Sequence, residues 1–76
     1  MKKTITDKKY HRFVDWLRQA RIDRGMTIRQ LGDLLEVPNS FISKIEMAER
    51  RLDVHEYVQY CRVLSVDPKD GLKLLE

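Results

Sequence analysis

Residues Ile28 to Glu46, IRQLGDLLEVPNSFISKIE, constrain the fold of this chain more than any other stretch. Leu31 and Leu35 stand four residues apart, Ile42 and Ile45 three apart, and Glu36-Val37-Pro38 separates the pairs. Both spacings put an apolar pair on one helical face. The stretch therefore predicts two short helices whose buried stripes meet at a corner, with Val37 joining the seam. Pro38 lacks a backbone donor and biases Val37 away from helical geometry, so the first helix is expected to stop there and Pro38 to begin the second with its φ already set. Gly32 falls where the second helix crosses closely, and a side chain larger than a methyl group would push the helices apart. Asn39, Ser40, Ser43 and Lys44 lie off the stripe and face outward.

The rest of the chain supplies a core for that corner. Seventy-six residues, 42% of them hydrophobic, suffice for one all-helical domain and exclude a second. Apolar runs are only two or three residues long, too short for a membrane span or a signal peptide. The single Cys61 cannot form an internal disulfide and is expected as a small buried residue, which makes a cytoplasmic location the default. Charge is uneven: residues 1–51 hold twelve Lys/Arg against seven Asp/Glu, and residues 52–76 hold three against five. The basic part contains the 28–46 stretch, the distribution expected of a nucleic-acid-binding surface.

Residues 1–7, with Lys2 and Lys3, show no apolar periodicity and read as a frayed terminus, or alternatively as a basic arm on phosphates. A first helix is predicted from near Asp7 to about Arg24, with Tyr10, Phe13, Val14, Leu17 and Ala20 on one face and Gly25 as its stop. Arg21 falls on that apolar face, where an unpaired guanidinium would be prohibitively costly, so it needs a carboxylate. Trp16 flanks the face as partly buried packing. Thr27 and Gln30 form a capping box for a helix over 28–35. Ile28 and Leu34 point away from the seam. Phe41 is divided between packing on the preceding helix and contact with a thymine methyl. Asp53 and Glu56 cap a fourth helix with Tyr57, Val58, Cys61 and Leu64 as its buried face, and Asp67-Pro68 starts a fifth with Leu72 and Leu75 inward.

Taken together, Leu17-Arg18, Arg21, Gly25, Leu31, Ile42, Ile45-Glu46 and Arg50-Arg51 resemble the phage-repressor-like, Xre-type helix-turn-helix family over roughly Tyr10 to Leu75. The chain departs from that family at Ile28, where glutamine is usual, and at Glu36, Ala48 and Ser65, where glycine is usual. The resemblance implies an all-α, five-helix lambda-repressor-like DNA-binding domain over residues 1–76, with the helix-turn-helix at 28–46. It pairs Arg21 with Glu46. It places Asn39, Ser40 and Lys44, with Ser43 as a further candidate, on DNA bases, and Thr27, Arg29, Arg50 and Arg51 on the DNA backbone.

The function so implied is a sequence-specific double-stranded DNA-binding transcriptional regulator, acting as a homodimer on an inverted repeat. Its dimer surface is expected on the C-terminal helices, at Tyr60, Leu72, Leu74 and Leu75. The alternative is an antitoxin-like protein-interaction module with secondary DNA binding, but no segment for wrapping a toxin precedes Glu76. No cofactor, metal or small-molecule ligand is expected: His11, His55 and Cys61 have no ligand spacing, and no effector domain is foreseen. No nucleophile motif, paired catalytic carboxylates or phosphate loop is present, so an enzyme is not expected.

Overall fold

Asp7 starts the first helix of the computed structural model, which describes residues 6–76: its carboxylate accepts the amides of Lys9 and Tyr10 at 2.8 and 3.1 Å. The expectation for Lys2 and Lys3 lies outside the described residues. Five helices follow: α1 Lys8–Asp23, α2 Ile28–Leu35, α3 Asn39–Glu46, α4 Val54–Leu64 and α5 Pro68–Lys73. Among the described residues there is no strand, and no helix is long and apolar enough to cross a membrane.

Four helix ends are closed alike. The amides of Met26, Val37, Glu49 and Val66 each donate to the carbonyl five residues earlier, at 2.9–3.1 Å. The residue before each amide takes a left-handed conformation: Gly25 (φ 69), Glu36 (φ 59), Ala48 (φ 57) and Ser65 (φ 58). This closure satisfies carbonyls that a helix end leaves without partners, and glycine usually supplies it. Glu36, Ala48 and Ser65 therefore adopt the geometry of the residue they replace, at about 1–2 kcal/mol each for an L side chain.

The core gathers Tyr10, Phe13, Val14 and Leu17 from α1, Leu31 from α2, Ile42 and Ile45 from α3, and Tyr57, Tyr60, Cys61 and Leu64 from α4. Leu35, Val37 and Ile28 pack against it half-buried, as does Trp16, while Leu34 is exposed. Phe13 lies between two other rings, with centroids 5.6 Å from Tyr10 and 5.1 Å from Tyr57. Cys61 is buried, which pushes its thiol pKa up.

Three expectations for the C-terminal helices are corrected. The buried positions of α4 are 57, 60, 61 and 64, an i, i+3, i+4, i+7 stripe, so Val58 faces solvent and Tyr60 is fully buried. Tyr60 is thus unavailable to a dimer surface. Leu72 and Leu75 are exposed rather than inward, because α5 docks through its backbone. Gly71 lies so close beneath Trp16 and the Tyr57 hydroxyl that a Cβ there would collide with both. The Tyr57 hydroxyl also donates to the Pro68 carbonyl, and Leu74 alone of the three terminal leucines is half-buried against the core.

Candidate nucleic-acid interface

The site is built on α3, and the turn before it sets where that helix begins. Pro38 is the N-cap, with φ −65° and ψ 155°, not the first helical residue as expected from its fixed φ; its extended ψ belongs to the turn. The approach at Gly32 is tighter than anticipated. A Cβ there would stand 3.0 Å from the Val37 carbonyl oxygen, so even a methyl group would press on the turn backbone.

At about 100° per residue, Asn39, Ser40, Ser43 and Lys44 occupy one side of α3, opposite Ile42 and Ile45. Asn39 and Ser40 are exposed; Ser43 and Lys44 are half-buried. Together they offer an amide that can donate and accept, two hydroxyls and one ammonium, a mixture suited to base edges. On the same helical wheel Glu46 borders this face on one side and Phe41 on the other. Each border residue is held by an arginine from elsewhere in the chain.

On the first border, Arg21 Nε donates to Glu46 Oε2 at 2.7 Å and Nη2 to Oε1 at 3.1 Å, while Nη1 donates to the Met26 carbonyl at 2.7 Å. This ties α3 to α1 and to the loop entering α2. The hydrogen bond with Glu46 pushes the Arg21 pKa up, against the opposing effect of burial. Arg18 approaches the same carboxylate at 3.8 Å from the solvent side. The Tyr60 hydroxyl, also buried, has no hydrogen-bond partner among the described residues.

On the second border, the Arg50 guanidinium lies 4.4 Å from the centre of the Phe41 ring. Its Nη1 and Nη2 donate to the two oxygens of Glu56 at 2.9 and 3.0 Å, and Nη1 also donates to the Arg51 carbonyl at 3.0 Å. Glu56 meanwhile completes the α4 capping box: Oε1 accepts the Asp53 amide at 3.0 Å, and Asp53 Oδ1 accepts the Glu56 amide at 2.7 Å. Phe41 is half-buried against the core and lines a groove together with Leu35, Val37, Glu56, Gln59 and Tyr60.

Arg50, expected on the DNA backbone, is therefore already engaged through three of its five N–H donors, and its side chain is 40% exposed. Arg29 and Thr27 are exposed at the start of α2. The Thr27 hydroxyl oxygen accepts the Gln30 amide at 3.0 Å, leaving its own proton to donate. Arg51 is exposed and lies 5.3 Å from the Tyr10 ring centre. Reading the sequence missed the second role of Glu56, because its cap spacing accounts for it fully and an i, i+6 pairing across a loop has no periodic signature. Among the described residues no group of His, Cys, Asp and Glu is arranged to hold a metal ion.

Residues 17–70 match the helix-turn-helix family. An XRE-family like protein from Pseudomonas syringae pv. tomato is similar at 45% identity and TM-score 0.80, over 87% of this chain and 82% of that one. The clp gene regulator ClgR from Corynebacterium glutamicum is similar at 22% identity and TM-score 0.80, over 90% and 72%. The restriction-modification controller protein C.AhdI from Aeromonas hydrophila follows at 19% and 0.75, over 82% and 94%. The latter two establish likeness of fold alone. No curated protein matches the sequence.

Proposed function

The chain belongs to the helix-turn-helix family, and from that premise we propose that it is a sequence-specific double-stranded DNA-binding transcriptional regulator. The observation that carries this reading is α3 itself: four polar side chains share its outer face, while Glu46, Phe41 and the Ile42–Ile45 stripe anchor the rest. A helix held on three sides can present the fourth to a major groove without losing register. ClgR and C.AhdI, a gene regulator and a controller protein by name, are consistent with it.

In this reading Asn39 pairs donor and acceptor with an adenine edge, Lys44 donates to guanine, and Ser40 and Ser43 adapt to either partner. Thr27, Arg29 and Arg51 meet phosphates, which hold position without reading sequence. The protein acts as a homodimer on an inverted repeat, since one α3 spans only a few base pairs. Support for the dimer surface comes from exposed Val54, Leu72 and Leu75, which line one apolar groove with Tyr10, Phe13 and Tyr57.

Titration of Asn39→Ala and Arg51→Ala against specific and scrambled duplexes at several salt concentrations tests the assignment. Asn39→Ala should lose about 1–3 kcal/mol on the specific site and relax preference there. Arg51→Ala should weaken all duplexes alike and lower the salt slope by about one. An unchanged specific-to-scrambled ratio for Asn39→Ala would sink the proposed use of α3.

A further inference from the structure

We infer that Arg50 is a positioning residue for DNA reading: through its stack on Phe41 and its fork on Glu56 it sets the rotation of α3 about its own axis, and it does not contact phosphate. The inference rests on the DNA-reading role proposed above.

Three observations converge on it. Phe41 borders the reading face immediately beyond Lys44, so anchoring this ring restrains the turn of α3 that would carry Asn39, Ser40 and Lys44 with it. The ring packs against the core, lines one groove together with Leu35, Val37, Gln59 and Tyr60, and is faced by the Arg50 guanidinium at 4.4 Å. That guanidinium is in turn fixed by both oxygens of Glu56, whose own position is set by the α4 capping box. The backbone of Arg50 is held as well, by the Tyr10 hydroxyl donating to its carbonyl at 3.2 Å. The chain of contacts runs without a break from the start of α4 to the edge of the reading face.

Charge supports the same assignment. Paired with Glu56, Arg50 brings no net positive charge to a DNA backbone, whereas Arg29 and Arg51 do. A planar fork that bonds a carboxylate and stacks on a ring is a task for arginine, and lysine cannot perform both halves of it.

Glu56→Gln separates the two roles through discrimination and not through overall affinity, since losing an acidic charge beside the duplex favours binding in either case. If Arg50 contacts phosphate, removing the Glu56 charge releases it and tightens every duplex alike, leaving the specific-to-scrambled ratio unchanged. If Arg50 positions Phe41, the same change loosens α3 and lowers discrimination.

The test measures Arg50→Ala, Arg50→Lys, Glu56→Gln and Phe41→Leu on a duplex that the parent protein selects from a random pool, and on its scrambled counterpart, across a salt series. In parallel, amide chemical shifts of residues 39–44 are recorded for each protein without DNA. We expect all four variants to lower the specific-to-scrambled ratio by about three- to tenfold with an unchanged salt slope, and to move those shifts. Arg50→Ala added to Phe41→Leu should bring little further loss, because both remove one interaction. Should Arg50→Ala fail to fold, Glu56→Gln and Phe41→Leu carry the same decision. An unchanged specific-to-scrambled ratio for Glu56→Gln, unchanged behaviour of Arg50→Lys, or unmoved shifts at 39–44 would overturn the inference. A parent protein that selects no duplex would instead defeat the DNA-reading role, and the DNA-free shifts would then report on the Arg50 contact by themselves.

Discussion

The two borders of α3 carry nearly the same chemical device in different surroundings. Both are bidentate Arg–Glu pairs with bonds of 2.7–3.1 Å. The side chains of Arg21 and Glu46 are 11% and 6% exposed, whereas those of Arg50 and Glu56 are 40% and 25% exposed. Burial therefore decides what each pair does. Around Arg21 and Glu46 little solvent is left to take up a stranded charge, so each depends on the other. Around Arg50 and Glu56 water can replace either partner, so that pair contributes less to stability and more to direction. One border holds the fold together; the other aims it.

The largest effect that could break this comparison is loss of Glu46. Glu46→Ala should destabilise by about 3–5 kcal/mol, read from urea unfolding, because Arg21 would be left buried without compensation. Glu56→Ala should cost only about 1 kcal/mol, for the half-exposed pair and the capping box together. Similar urea midpoints for the two variants would erase the distinction.

Tyr60→Phe sharpens the comparison from the buried side. The Tyr60 hydroxyl lies in the core without a hydrogen-bond partner among the described residues, and its pKa is raised by burial and then by the Glu46 charge. Removing it should stabilise by about 1 kcal/mol, since an unsatisfied buried hydroxyl is relieved. A clear loss of stability would mean that this hydroxyl supports the Arg21–Glu46 pair.

The smallest expected effect is one of pH. The Arg50 hydrogen bond holds the Glu56 carboxyl below its ordinary value of 4.5, with help from the Asp53 amide and against the effect of burial. A carboxyl with a lowered folded pKa contributes stability that is complete above its unfolded value and is lost as pH falls through the folded one. The stability difference between the parent and Glu56→Gln should accordingly shrink below about pH 4.5 and be flat above it. A difference independent of pH through that range would remove the Arg50–Glu56 charge interaction from the account.

Legibility in the sequence followed periodicity. The stripes at Leu31, Ile42 and Ile45, the caps at Thr27 and Asp53, and the outward Asn39, Ser40, Ser43 and Lys44 all rest on spacings within one helix, and one helix dictates them. Arg21 was legible for a related reason: a guanidinium on an apolar stripe declares that it must be paired, even before its partner is placed. The misreadings lie where two elements compete for one residue. Val58 and Tyr60 both suit a helix face, and only the packing of α4 chose Tyr60 for the core. Leu72 and Leu75 have inward spacing, but Gly71 brings the α5 backbone too close for them to enter.

By itself the sequence determined five helices, the caps at Thr27 and Asp53 and the polar face of α3, because these depend on dihedral preferences and residue spacing within short segments. Only the tertiary structure decided that Arg50 closes on Glu56 and Phe41 while Arg51 lies exposed over the Tyr10 ring. Those two arginines are neighbours of the same chemistry in the chain, and what separates them is where α4 begins in space. A bidentate fork with a ring beneath it is won by whichever guanidinium the fold delivers to the carboxylate, and no spacing along the chain encodes that distance.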